Sequence, residues 1–466
     1  MFLTIFISAC VLKNTSASIL CMFCCFPDFI ILFSFSDAEC VKYNKLVTML
    51  SKRIKNLFTI LLLIGLVKIF GLHTLLFEKD IDVEFDYPLS EYIYPYVEQM
   101  RNNDKPSISP INVYNYSFLS SCEDKCKSDS EIRLVIIVKS AMNNFHRRLT
   151  IRKTWGFENR FSDVVIKKVF VLGVDGGADK SLQEAIDAES KKHNDIVQAN
   201  FQDSYFNNTI KTMMGFTWAM RFCPAAKFYM FSDDDMYVSV KNVLRFIRNP
   251  SHYPEYVEEA LAARRKLSPS KSQPKVLGKS LNGGKNFLVS GNQENNKFGR
   301  VKRQANFNYD LPDEAILNFA TNERKHGHLA CANLLKFNTL VNLFAGFVFK
   351  SSPHRHLTSK WYISLEEYPW NRWPPYVSAG AYILSQEALI SVYYASHFVK
   401  HFRFDDIYLG IIAKKMGIEP FHCKEVYFYK KDYNLHNYRY VVASHGYDNM
   451  EELFSVWNEQ KSAGNA

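Results

Sequence analysis

Between Arg133 and Asp235 the chain alternates apolar runs with polar or amphipathic stretches, and this restricts the fold more than any other feature. The runs Arg133–Val138, Lys168–Gly173 and Lys227–Ser232 have the continuous apolar character of strands buried on both faces. Between them, His146–Gly156 and Ser181–His193 read as helices, and an amphipathic helix ends at Phe222. Strand–helix repeats of this kind build an α/β sheet that binds ligands, nucleotides above all, at its carboxyl edge. The last run ends in Asp233-Asp234-Asp235. Three adjacent carboxylates repel one another, and folding alone gains little from them there. A hard divalent cation, Mn²⁺ or Mg²⁺, would neutralise them through oxygen ligands; the competing reading is a solvated acidic turn.

The N-terminal part constrains location. Leu57–Phe77 is long and apolar enough to span a bilayer, although Lys68 and His73 interrupt its distal half. Lys52, Arg53 and Lys55 precede it and Glu78, Asp80, Asp82 and Glu84 follow. The positive-inside rule then makes residues 52–77 a type II signal anchor with the remainder across the membrane. Residues 1–48 read as a cytoplasmic extension upstream of an alternative start at Met49. Residues 78–130 lack a sustained period and read as a lumenal stem. Asn115-Tyr116-Ser117 and Asn207-Asn208-Thr209 are glycosylation sequons. Beyond the anchor, Cys122 with Cys126 and Cys223 with Cys423 are two possible disulfide pairs, and spacing leaves the connectivity open. The net charge of +10 comes without a compact Lys/Arg block, which argues against a nucleic-acid binder and for anionic substrates or membrane surfaces.

The C-terminal half changes character twice. From about residue 264 to 342, Lys, Ser, Asn and Gly dominate without period, as expected of a disordered insertion. Order returns with the strand Leu343–Phe349. Lys360–Pro369 and Trp373–Ser385 are then dense in Trp, Tyr and Pro, as a rigid aromatic wall against sugar rings would be, or as a packed core would be. Asp405-Asp406 opens a helix, either as a cap or as a general base. His422, His436 and His445 are each available to complete a metal site.

Taken in order, Arg148–Gly156, Asp203-x-Tyr205-x-Asn207 with Lys211-Thr212, Asp233–Asp235, Lys360-Trp361 with Tyr368-Pro369, Pro375-Tyr376-x-x-x-Gly380-x-Tyr382 and Asp405-Asp406-Ile407-Tyr408-x-Gly410 resemble the Golgi β-1,3-glycosyltransferases, the Fringe-related galactosyl- and N-acetylglucosaminyltransferases. The resemblance covers about 131–262 and 343–460 and is nearest the glycolipid branch typified by the nematode β-1,3-galactosyltransferase of the toxin-receptor pathway. It implies a GT-A (Rossmann-like) catalytic domain over 131–466, a single-pass Golgi anchor, a UDP-sugar donor, a glycan acceptor on lipid or protein, Mn²⁺ (or Mg²⁺) and inversion at the anomeric carbon. By position it implies Asp406 as catalytic base, and Asp235 and His445 as metal ligands. It implies donor contacts from Arg148, Arg152, Lys211, Asp233 and Asp234, and acceptor contacts from Trp361, Tyr368, Tyr376, Gly380 and Asp405. Three departures stand out: Asp405-Asp406 where the family has Glu-Asp, Asn208 inside the sequon where it has Leu, and the interruption from about Ala315 to Asn342. Galactose is the expected sugar, with N-acetylglucosamine the alternative. An inactive glycan-binding homologue and a metal-dependent phosphohydrolase are the competing classes. The first would show no turnover with Mn²⁺ and the second no acceptor dependence.

Overall fold

The computed structural model describes residues 19–26, 29–35, 37–87, 92–127, 131–176, 180–267 and 342–466. The expected insertion at 264–342 lies almost wholly outside them. Two compact units emerge, one from Met1–Glu84 with Ser352–Asn371, the other from Phe85–Ser351 with Arg372–Ala466.

In the first unit, strands β1 (Ile19–Phe26) and β2 (Phe29–Phe35) form a hairpin, and α1 (Asp37–Ile69) follows. The helix does not continue through the apolar stretch expected to span a membrane. Gly71 turns to φ 69°, and Leu72–Leu76 form a 3-10 turn. A β-carbon on Gly71 would stand 2.3 Å from the Arg355 carbonyl oxygen, so no other residue fits the turn. From Leu57 to Ile69 the helix rises only about 20 Å, against a hydrocarbon core of roughly 30 Å. Among the described residues no helix is long and apolar enough to cross a membrane. The 352–371 segment is organised by Arg355. Its guanidinium pairs with Glu78 at 2.8 Å and donates to the carbonyls of Ile363, Ser364, Tyr368 and Trp370.

The second unit holds, in chain order, α2 (Tyr94–Arg101), β3 (Phe118–Ser120), β4 (Ile132–Lys139), α3 (Phe145–Lys153), β5 (Val165–Val174), α4 (Lys180–His193), β6 (Ile196–Gln202), α5 (Asn208–Phe222), β7 (Phe228–Asp233) and β8 (Tyr237–Val238). It continues with α6 (Val240–Arg248), α7 (Glu255–Leu267), β9 (Phe344–Phe349), β10 (Tyr376–Ser385), α8 (Gln386–Ala395), α9 (Asp405–Lys415), β11 (Phe421–His422), β12 (Val426–Tyr427), β13 (Ala443–Ser444) and α10 (Met450–Ser462). An eight-stranded sheet runs β11-β9-β10-β7-β4-β5-β6-β3. Its centre, β7-β4-β5-β6, is parallel, and β10 and β3 flank it antiparallel. The apolar runs become these strands because both faces are covered, and Leu134–Val138 and Val169–Leu172 are fully buried. The order reverses between β4 and β7. Strands β5 and β6 step one way from β4, and β7 is laid on the other side. Lys139 and Asp233 end the two strands at this switch point and are paired in register.

Residues 92–127 of the expected stem pack within the second unit. Arg101 forms a double ion pair with Glu387 on α8, Asn112 donates to Tyr408 on α9, and β3 joins the main sheet. Cys126 is bonded to Cys223, while Cys122 and Cys423 are buried free thiols. Neither of the pairs suggested by spacing forms, because β3 carries the segment after it to the C-terminal end of α5 rather than leaving it local.

Candidate active site

Asp233 ends β7, and Asp234 and Asp235 lie in the turn that follows. Asp233 and Asp235 both come near His445, whereas Asp234 is bonded elsewhere. Asp234 is buried and accepts from Ser140 Oγ at 2.6 Å, Asn144 Nδ2 at 2.9 Å and Arg147 Nη1 at 2.9 Å. It fastens the β4–α3 loop to the turn after β7, so the donor contact expected of it is replaced by a structural one.

His445 reaches the triplet through a second, three-stranded sheet, β12-β13-β8. Ser444 pairs with Tyr237 and the Tyr447 amide donates to the Asp235 carbonyl at 2.8 Å, which sets His445 Nε2 3.5 Å from Asp235 Oδ2. Asp233, Asp235 and His445 can each present a ligand atom within 4.8 Å of the others. Asp235 Oδ1 is buried, and no hydrogen-bond donor reaches it among the described residues. An orphaned carboxylate oxygen in a two-carboxylate, one-imidazole set is what a hard or borderline divalent cation fits. Burial raises the pKa of Asp235, and it raises that of Asp233 to about 6 against the opposing Lys139 charge. A bound cation would reverse that logic. His422 is used elsewhere, accepting from the Val348 amide. Gly380 on β10 stands beside the cluster, where a β-carbon would lie 3.5 Å from the His445 ring.

The second focus is the start of α9. Asp405 is buried, accepting from Lys139 Nζ at 2.8 Å, Thr212 Oγ1 at 2.7 Å and Asn208 Nδ2 at 3.1 Å. Burial works to raise its pKa, but the Lys139 charge and these hydrogen bonds outweigh it, and the net shift is downward. So enclosed, Asp405 is an internal anchor and not the acceptor contact expected of it. Asp406 is held differently: its Oδ1 accepts from the Ile407 amide at 2.8 Å, and burial together with the Asp405 charge pushes it up to about 7. Two adjacent carboxyls with opposite shifts are the pattern that separates a fixed anion from a proton acceptor. Gly410, one turn on, lets β10 approach, since a β-carbon there would meet Tyr376 Cβ at 2.5 Å.

The galactosyltransferase family model matches residues 146–277 and 331–424, passing over most of the expected insertion. The beta-1,3-galactosyltransferase brn of Drosophila melanogaster is 37% identical over 410 residues, covering 87% of this chain and 96% of that one. The chain belongs to the β-1,3-galactosyltransferase family. Another relative is the lactosylceramide 1,3-N-acetyl-beta-D-glucosaminyltransferase of Xenopus tropicalis, 28% identical over 365 residues, with 76% of this chain and 72% of that one covered. A solved galactosyltransferase, LgtC with donor and acceptor sugar analogs, aligns over 71% of this chain and all of its own at 9% identity. Its TM-score of 0.29 leaves the fold description to rest on the strands above.

Within this galactosyltransferase the remaining expected positions sort by what surrounds them. Arg148 is fully buried and spends its donors on Glu189, Ser140 Oγ and the carbonyls of Ala141 and Met142. Arg152 pairs with Glu189 and Asp195. The Arg148 guanidinium braces the β4–α3 loop from behind with all its donors engaged, and Arg152 is held by Glu189 and Asp195 away from the aspartate cluster. Lys211 is likewise pinned, to the Ser140 carbonyl and Asp203 at 2.8 Å each. The arginine that borders the cluster is Arg147, 3.7 Å from Asp235 Oδ2 and bonded to Asp234 and Asp448. The sequence does not single it out, because the i, i+4 spacing favours Arg148 and Arg152, whose shared face is the buried one. Nor does the sequence single out Lys139, the last residue of β4. Tyr376 stacks on Phe349, its hydroxyl 3.0 Å from Ser351 Oγ, and Asp406 acts on it electrostatically. Trp361 and Tyr368 belong to the other compact unit. Trp361 is 44% exposed under Lys360, whereas Tyr368 is fully buried and offers no face to a sugar. Trp370 and Trp373 are buried too, so much of the expected aromatic wall is core. Asn115 is exposed; Asn207 donates to the Gln202 carbonyl, and Thr209 of its sequon is buried against the Phe402 carbonyl.

Proposed function

We propose that this protein is an inverting, metal-dependent β-1,3-galactosyltransferase of GT-A type, moving galactose from UDP-galactose to the 3-hydroxyl of an acceptor sugar. The observation that carries the reading is the pairing of two sets in one unit: the Asp233, Asp235 and His445 cluster with its orphaned oxygen, and Asp406 at the head of α9 with its raised pKa. Asp233, Asp235 and His445 would hold Mn²⁺ or Mg²⁺, which would supply a Lewis acid toward the diphosphate. Arg147 adds positive charge beside it. Asp406 takes the proton from the acceptor hydroxyl as that oxygen attacks the anomeric carbon, and the carbon–oxygen bond to UDP breaks on the opposite face. Tyr376 and the space at Gly380 border the path of the acceptor.

A lipid-linked acceptor is supported by the Xenopus relative, whose name specifies lactosylceramide. The same name supports N-acetylglucosamine as the alternative sugar. The disulfide, the exposed sequon at Asn115 and the exposed apolar side chains of α1, Leu61 at 57% and Phe58 at 72%, support a membrane-attached protein with its catalytic unit in the Golgi lumen. The test is transfer by the full-length protein with Mn²⁺, using UDP-galactose, UDP-N-acetylglucosamine and UDP-N-acetylgalactosamine against β-linked glycolipid acceptors. Galactose transfer that disappears in Asp406→Asn, with UDP binding kept, is expected. Transfer by Asp406→Asn at wild-type rate would remove the base assignment, and no transfer from any donor would leave a glycan-binding homologue.

A further inference from the structure

We infer that Lys139 is a positioning residue, holding the base-bearing end of α9 in register with the metal-ligand end of β7. The inference rests on the reading of Asp406 as the base. Lys139 closes β4 at the switch point and its side chain is 2% exposed. Its ammonium lies 3.1 Å from Asp233 Oδ1 and 2.8 Å from Asp405 Oδ2. These two carboxylates come from distant parts of the chain. Asp233 belongs to the candidate ligand cluster, and Asp405 is covalently next to Asp406. An ammonium is a compact charge with three donors, so both carboxylates are drawn to one point. Thr212 and Asn208 on α5 hold Asp405 from the other side, which leaves its position determined by three elements. A buried cation needs compensation, and one carboxylate would supply it. Lys139 engages two, each adjoining a different half of the chemistry, and so ties their separation to the sheet. Misplacement of a reacting group by about 1 Å costs on the order of a hundredfold in rate.

The test uses the full-length protein with Lys139→Arg, Lys139→Met and the double variant Lys139→Met/Asp405→Asn. For each, the melting temperature, Mn²⁺-dependent UDP affinity, and kcat and KM for both substrates are measured. Lys139→Arg keeps the charge and changes the reach. It is expected to stay folded, to hold UDP within about threefold, and to lose roughly tenfold to a hundredfold in kcat. The double variant removes the cation and one carboxylate together. It is expected to recover the melting temperature lost in Lys139→Met while kcat stays down. Recovery of kcat along with stability would mean that Lys139 only balances charge, and overturns the inference. A loss of UDP affinity in Lys139→Arg as large as the loss of kcat would assign Lys139 to the donor site alone and overturns it equally. Asp406→Asn, measured alongside, separates the two levels. Retained turnover there sinks the base reading and this inference with it, whereas a dead Asp406→Asn beside a fully active Lys139→Arg sinks the inference alone.

Discussion

Three neighbouring aspartates have three different surroundings, and their substitutions should differ accordingly. Asp235→Asn and His445→Ala are expected to lower metal-dependent UDP affinity by tenfold or more, read by calorimetry with and without Mn²⁺. Asp234→Asn should leave that affinity nearly intact and instead lower stability by about 1.5–3 kcal/mol, because a buried carboxylate with three donors is lost. Equal loss of metal-dependent binding in Asp234→Asn would contradict the separate placement of Asp234. The raised pKa of Asp406 fixes the sign of the pH response. Only the ionised carboxylate can accept a proton, and the group ionises near 7, so kcat should rise with pH through a limb close to 7 and then level off. A flat kcat between pH 5.5 and 8.5 would mean that this carboxyl is not the base.

Elements rather than residues decide where these groups meet. Helix α9 is kept against β10 by the missing side chain at Gly410, so Gly410→Ala should displace the helix and lower kcat more than it raises the KM for UDP-galactose. Helix α3 is held to α4 and to the start of β6 by Arg148, Arg152, Glu189 and Asp195. Removing one partner from such a buried network leaves an uncompensated charge and costs about 3–5 kcal/mol. Arg148→Met should therefore show as a large fall in melting temperature. If UDP affinity fell at unchanged melting temperature instead, Arg148 would be a donor contact after all. The short pairing of β13 with β8 is as consequential, since with the Tyr447 amide bond to the Asp235 carbonyl it delivers His445.

Across the whole catalytic unit, the segment after residue 92 wraps the core and is sealed to it. The Cys126–Cys223 bond closes a loop with a sequence separation of 97. Loop-closure entropy predicts a stabilisation of about 4–5 kcal/mol for a loop of that size. Cys126→Ser should lower the melting temperature markedly, and wild type should lose the same increment under reductant. No difference between reduced and oxidised protein would show that β3 and Arg101 hold the segment without it.

The chain's local pattern was enough for the strand–helix alternation, since apolar runs long enough to be buried on both faces admit little else. The acidic strand end and the Asp405-Asp406 pair stand out in the sequence because adjacent carboxylates repel one another, but the sequence does not show that Asp234 and Asp405 are spent on internal contacts. What sequence spacing does not encode is which face of an element meets which neighbour. Arg148 and Arg152 share a helical face, but only the position of α4 makes that face the buried one and leaves Arg147 outward. Cys126 finds Cys223 because β3 carries it there. Lys139 looks like the polar end of an apolar run until the order β7-β4 sets it between Asp233 and Asp405. Those outcomes depend on strand order and register, which are set by the packing of the whole sheet and not by any window of the chain.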